Sequence, residues 1–260
     1  MDETIRIAVD DRGVARLTLS RVEKHNALDA RMMDELTAAA DRLGRDPAVR
    51  VVVLTGAGDS FCAGGDLAWM RAQFDADDAG RAAEARRLAG MLQALNTLPK
   101  PLIGRVQGQA FGGGIGLMAV CDVAIGVASA RFALTETRLG LIPATIGPYV
   151  VARMGEAMAR RVFMSGRRFD AAEAVTLGLL ARAVAAEDLD AAVEAEVAPY
   201  LACAPGAVAE AKALARRLGP AIDESVIALT IEALTRRWQS PEAQEGIAAF
   251  FEKRKPDWLI

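Results

Sequence analysis

Three glycines in a row, Gly112, Gly113 and Gly114, follow a strand-like segment, Pro101 to Val106, and open the apolar, helix-compatible run Ile115 to Cys121. A turn of this kind aims unpaired backbone N–H groups and the positive end of a helix dipole at one spot. A ligand carbonyl can approach closely because no side chain stands in the way. A second loop with the same character, Ala63-Gly64-Gly65-Asp66, follows the β-branched run Arg50 to Thr55. Two such loops behind two parallel-type strands can face each other at one sheet edge. Two N–H donors converging on one carbonyl oxygen would stabilise an enolate. Glu136 lies 22 residues beyond Gly114, between the apolar flanks Phe132–Leu134 and Leu139–Pro143. A carboxyl held in an apolar wall has its pKa raised toward the range useful for proton transfer. These residues therefore suggest an oxyanion site with a proton carrier beside it.

Other chemistry finds less support in the residues. The glycine clusters do not continue as G-x-G-x-x-G, and no G-K-[ST] follows them. His25 is the single histidine, and no G-x-S-x-G elbow is present. A Cys62 nucleophile with His25 as base is the remaining thiol reading; the plain alternative is a small side chain in a loop. One histidine and three scattered cysteines offer no metal site and no disulfide framework. The net charge of −3, with Lys and Arg spread along the chain, argues against a nucleic-acid surface. The acidic start M-D-E-T-I-R-I has no apolar signal core, and no uncharged apolar run reaches membrane-spanning length. These features lead us to expect a cytoplasmic protein.

The elements that must position the chemistry can be followed along the chain. Ile5–Val9 and Val14–Leu19 alternate around D-D-R-G as a hairpin, and Arg21 to Leu28 is a polar connection. Asp29 can cap a helix with an apolar stripe Met32, Met33, Leu36, Ala40 and Leu43. A short helix carries Trp69 and Met70, an acidic and mobile connection spans Phe74–Gly80, and Arg81–Leu98 is amphipathic. The β–α–β alternation from residue 29 to 127 argues for a parallel sheet with crossover helices. After Glu136 the pattern becomes mostly helical, with a capping-box spacing at Asp170–Glu173, helices over Leu189–Leu201, Gly206–Leu218 and Ile222–Trp238, and a last one opened by Ser240-Pro241.

In order along the chain, R-V-E-K-H-N-A-L, V-V-V-L-T-G-A-G-D-S-F-C-A-G-G-D-L, K-P-L-I-G-R-V-Q-G-Q-A-F-G-G-G, C-D-V-A-I and F-A-L-T-E-T-R-L-G-L-I-P resemble the enoyl-CoA hydratase/isomerase (crotonase) superfamily. The resemblance extends to the terminal E-G-I-A-A-F-F-E-K-R-K-P and so covers nearly the whole chain. It implies an α/β fold, a crotonase-like spiral of ββα units over residues 1–200, with a C-terminal helical region, 201–260, for association as trimers or dimers of trimers. An acyl-CoA thioester is the implied substrate, with coenzyme A part of that substrate and no separate cofactor. By position, Gly65 and Gly113 resemble the family's oxyanion donors and Glu136 its proton-transfer residue. Ala63, Asp66 and Leu67 resemble one CoA-contacting segment, Arg21 and Lys24 fall in the other, and Phe250 and Lys253 lie on the terminal helix that approaches the nucleotide. One position departs: the family's hydratases carry a further glutamate where this chain has Gly116. The region L-G-L-I-P-A-T-I-G-P-Y-V looks similar to branched-chain or glutaconyl-type hydratases. Together these features lead to the expectation of a hydratase acting on α,β-unsaturated acyl-CoA, branched ones included. A Δ3–Δ2 isomerase and a non-catalytic acyl-CoA-binding member are the alternatives. Trp69, Met70, Phe74 and Ile142–Tyr149 are the expected pocket walls.

Overall fold

The computed structural model describes residues 3–259; Met1 and Asp2 of the acidic start, and Ile260, lie outside the described residues. The hairpin forms as expected, with β1 (Ile5–Val9) antiparallel to β2 (Val14–Leu19). Asp29 caps α1 (Ala30–Arg45) by accepting from the Met32 amide at 2.8 Å, and the helix buries Met32, Met33, Leu36, Ala40 and Leu43 along one stripe. β3 (Val51–Gly56) is buried along its whole length between β2 and β5 (Leu102–Val106), both parallel to it. That is why its sequence is a continuous β-branched run rather than an alternation. With β7 (Val123–Val127) and β10 (Arg182–Val184) these strands complete a six-stranded sheet in the order β1-β2-β3-β5-β7-β10.

A second sheet was not expected from periodicity. Its strands, β4 (Ser60–Cys62), β6 (Gln109–Phe111), β8 (Arg131–Ala133) and β9 (Phe169–Asp170), order as β4-β6-β8-β9. Three strands of the first sheet are thus each followed by a short strand of the second, giving the pairs β3–β4, β5–β6 and β7–β8. A helix or helical turn then follows each pair, which is the ββα spiral implied by the resemblance. The short strands end at the Ala63–Asp66 loop, at the Gly112–Gly114 cluster and just before Glu136, so one small sheet brings all three together.

Phe74–Gly80 is a correction. The segment is the junction of two helices, α2 (Leu67–Asp75) and α3 (Asp78–Asn96), with only two residues between them. Arg81 donates to the Gln73 and Phe74 carbonyls, both at 2.9 Å, and so satisfies the last turn of α2. Asp77 caps α3 by accepting from the Gly80 amide at 2.8 Å. Of the acidic residues, Asp77 is the helix cap, and Asp75 and Asp78 are the exposed end residues of the two helices. At Asp170 the capping box is half made: Asp170 accepts from the Glu173 amide, while the Glu173 carboxylate binds Arg167 and Arg161.

α4 (Gly113–Ala119), α5 (Gly147–Met154), α6 (Glu156–Phe163), α7 (Ala171–Thr176) and α8 (Leu189–Leu201) pack around the sheets. α9 (Pro205–Leu218) buries no residue and is tied down by Lys212, which pairs with Asp122 at 2.8 Å. α10 (Glu224–Trp238) sets Ile227 and Ile231 against Ala85 and Ala89 of α3. α11 (Pro241–Glu252), capped by Ser240, joins Ala243 and Ile247 to Leu141 and Trp238. The last two helices therefore return to the region of Glu136. Among the described residues no helix is long and apolar enough to cross a membrane.

Candidate active site

The three glycines have three different reasons to be glycine. Gly112 holds φ +47°, a backbone that side chains rarely adopt, and its amide donates to the Ala133 carbonyl at 3.0 Å. Gly113 begins α4. Gly114 passes so close to β4 that a Cβ there would stand 2.4 Å from the Cys62 carbonyl oxygen. In the facing loop, Gly64 has φ +93°, and a Cβ on it would lie 2.9 Å from the Phe111 carbonyl oxygen and 3.7 Å from the Gly113 nitrogen. The two loops are in contact.

The hydrogen bonds around them bypass two amides. Leu28 N–H donates to Gly64 O at 2.7 Å and Asp66 N–H to Leu28 O at 2.8 Å, which leaves the Gly65 amide between them unused. Ile115 and Gly116 N–H both donate to Gly112 O, and the Gly113 amide, at the first helical position, has no partner among the described residues. Gly65 and Gly113 thus carry donors left free on two touching loops.

Arg21 and Asp66 secure this arrangement from beneath. Asp66 caps α2 through the Ala68 and Trp69 amides, at 2.8 and 3.2 Å, and accepts from Arg21 Nη2 at 3.0 Å. Arg21 also donates to Ala27 O at 2.6 Å and pairs with Asp29 at 3.2 Å. Burial works against the Asp66 charge, but the Trp69 and Ala68 amides and the Arg21 guanidinium outweigh it and hold the carboxylate below its ordinary value.

Glu136 follows β8, on a short 3-10 turn that Gly140 ends. Its Oε1 lies 3.2 Å from where a Cβ on Gly112 would stand, so the carboxyl sits close against the glycine loop. The residue keeps partial contact with the cavity, but Oε2 is sealed and has no hydrogen-bond partner. Burial pushes this carboxyl up to about 7, with its own amide opposing slightly. A carboxyl poised there can exchange a proton near neutral pH.

Gly65, Gly113 and Glu136 line one cavity of about 450 Å³. Ala63, Leu67 and Phe250 line it as well, whereas Arg21 and Asp66 lie behind its wall and Lys24 and Lys253 are exposed outside it. Trp69, Met70 and residues 142–146 form walls as expected. Phe74 does not: it packs on the cluster of Leu141, Trp238, Ala243 and Ile247. Tyr149 turns away and donates to Gln93 Oε1 at 3.1 Å. The far wall adds Gln73, Arg81, Glu84 and Trp238, none of which any local sequence signal marks.

The thiol reading does not survive. Cys62 is fully buried, burial pushes its thiol up to about 12, and His25 Nδ1 is engaged with Ser60 Oγ at 3.1 Å. A protonated thiol sealed in the wall is no nucleophile.

At Gly116 the structure gives the departure a physical form. A Cβ there would stand 2.6 Å from Ile146 Cγ2 and 3.1 Å from Ile146 Cβ. The space into which an acidic side chain would grow is filled by isoleucine, which itself lines the cavity.

The comparisons agree with this geometry. The family described as Enoyl-CoA hydratase/isomerase matches residues 10–259. The chain is 37% identical over 242 residues to a carnitinyl-CoA dehydratase of Proteus mirabilis, covering 90% of this chain and 91% of that one. It resembles the crystal structure of an enoyl-CoA hydratase from Shewanella pealeana with TM-score 0.80 and 39% identity, over 98% of this chain and 96% of that one. An enoyl-CoA hydratase structure from Mycobacterium avium superimposes with TM-score 0.85 at 33% identity, covering 99% of this chain and 100% of that one. With a family match along nearly the entire sequence and solved structures of the same fold, the chain belongs to the enoyl-CoA hydratase/isomerase family and has the crotonase fold.

Proposed function

We propose that the protein hydrates an α,β-unsaturated acyl-CoA, with Glu136 as the one carboxyl that moves protons. The observation that carries this reading is the Glu136 carboxyl, raised to about 7 and set against the loop that bears the free Gly113 amide. The thioester oxygen binds between the Gly65 and Gly113 amides, which draws electron density from the β-carbon. A water oxygen bonds to that carbon as ionised Glu136 takes one of its protons. The resulting enolate keeps its negative charge on the thioester oxygen, between the two amides. Glu136, now a carboxylic acid, gives the proton to the α-carbon and returns to its ionised state. Atoms balance as one water added across the double bond.

A second reading has its own observation. Ile146 fills the space beside Gly116, so the wall there is apolar, and Glu136 alone could carry a proton from the α- to the γ-carbon or back. Absorbance distinguishes the two: hydration removes the band of a conjugated enoyl thioester, and isomerisation of a 3-enoyl-CoA creates it. Binding of acyl-CoA without turnover across a panel of chain lengths would instead identify a non-catalytic member. The same reading takes Ala63, Asp66, Leu67, Arg21, Lys24, Phe250 and Lys253 as groups around the CoA arm, directly or by holding its loops. It takes residues 201–260 as the region through which copies associate, a trimer or dimer of trimers being the mass expected in sedimentation.

A further inference from the structure

Gln73 is 7% exposed, lines the same cavity as Glu136, and its Oε1 is sealed with no hydrogen-bond partner. A buried, unpaired amide oxygen is costly, so a group in this position calls for a partner. Only two side-chain polar atoms are buried and unpartnered among the described residues; the other is Glu136 Oε2, in the same cavity. One belongs to the proton carrier. The other stands farther along α2.

Its place can be estimated from the helix. Trp69 packs against Gly65, with a ring carbon 3.3 Å from where a Cβ would be. Gln73 follows Trp69 by one helical turn, on the same face, roughly 6 Å farther along the axis. An acyl chain that leaves the thioester between Gly65 and Gly113 and runs beside Trp69 and Met70 reaches Gln73 after a few carbons. The neighbouring lining is polar too. Arg81 is 11% exposed and donates to the Gln73 and Phe74 carbonyls, and Glu84 accepts from Trp69 Nε1 at 2.7 Å. For a plain hydrocarbon tail this is a poor end wall, because it would strip the amide of any partner.

We infer that the acyl group of the substrate carries a hydrogen-bonding oxygen near its far end, and that Gln73 is the residue that recognises it. This inference rests on the acyl-CoA reading given above and deepens it to a substrate class. The unpaired atom is an acceptor, so a terminal hydroxyl answers it directly by donating to Oε1; a terminal carboxylate can only accept, from the Gln73 NH₂ with the Arg81 guanidinium at hand, and leaves Oε1 unpaired.

Calorimetry with the full chain and non-reacting saturated thioesters tests this without relying on turnover. The probes are five- and six-carbon acyl-CoA compounds ending in methyl, hydroxyl or carboxylate. At least one oxygen-bearing series is expected to bind about tenfold more tightly than its methyl counterpart, a ratio that one hydrogen bond to a buried group supplies. Which series wins identifies the terminus. Gln73→Met should erase the preference by weakening the oxygen-bearing thioesters. Equal or tighter binding of the methyl compounds overturns the inference while leaving the acyl-CoA reading intact. A preference that persists in Gln73→Met removes Gln73 from the role. Failure of every thioester to bind removes both readings together. If Gln73→Met does not fold, the wild-type ratios still decide whether the far end takes an oxygen.

Discussion

At the glycine end of the cavity, backbone is packed against backbone; at the Gln73 end, side chains from helices meet across open space. Gly64 and Gly114 lie so close to the Phe111 and Cys62 carbonyls that a side chain at either would strike backbone, while Gly113 borders the tip of the Leu28 side chain. The far wall is different. It depends on Gln73 from α2, Arg81 and Glu84 from α3, and Trp238 from α10. On the proposed reading, the contrast sets a reaction centre held by close backbone packing against a substrate wall built of separate side chains.

The sharpest way to break the first end is Glu136→Gln, which keeps the shape and removes the proton carrier. A loss on the order of 10³ in kcat is expected, about 4 kcal/mol, measured by the absorbance of a conjugated enoyl thioester. Retention of full rate would sink the role assigned to Glu136. Gly116→Glu should disrupt the fold rather than restore a second acid. The new side chain meets Ile146 and buries an unpaired charge, and a loss of about 3 kcal/mol or more in denaturant titrations is expected. A stable, faster enzyme would contradict that.

Protonation provides the next test. Because the folded-state pKa of Glu136 is raised from 4.5 to about 7, the folded protein holds that proton more tightly than the unfolded chain does. The stability it contributes is complete below pH 4.5 and is lost as pH rises through 7, amounting to about 3 kcal/mol at most. Glu136→Gln should therefore be the more stable protein at pH 8.5 and lose this advantage near pH 4. Activity runs the opposite way in the hydration direction, with kcat/KM rising through a limb near pH 7 as the carboxylate forms. The smallest effect belongs to the far wall. Arg81→Met removes two hydrogen bonds that cap α2 and should cost about 1–2 kcal/mol, with a shift in acyl preference larger than the change in kcat for a short enoyl thioester.

The same contrast explains what could be read from the sequence. Glycine runs and an apolar-flanked glutamate are local features, so Gly65, Gly113 and Glu136 stand out in the chain and the structure brings them into one cavity. The long strands β3, β5 and β7 and the capped helix α1 are equally local. The second sheet is not, because strands of two or three residues are too short to show a period. Phe74–Gly80 misled because Asp77 has the same composition as a solvated loop, and the partner that makes it a helix junction, Arg81, lies in the next helix. Gln73 could not have been singled out from L-A-W-M-R-A-Q-F. Its importance depends on the cavity it shares with Leu234, Trp238 and Phe250 from distant helices, and on Oε1 having no partner among the described residues.

Ile146 against Gly116 also bears on which pairs of side chains these two positions can hold together. A glutamate at 116 has no room while isoleucine stays, and a smaller residue at 146 leaves a void while glycine stays. Each single step is worse than the starting point, and only the pair together is compatible. The two positions are therefore coupled: Gly116→Glu made together with Ile146→Ala is expected to cost less stability in denaturant titrations than the two single changes added.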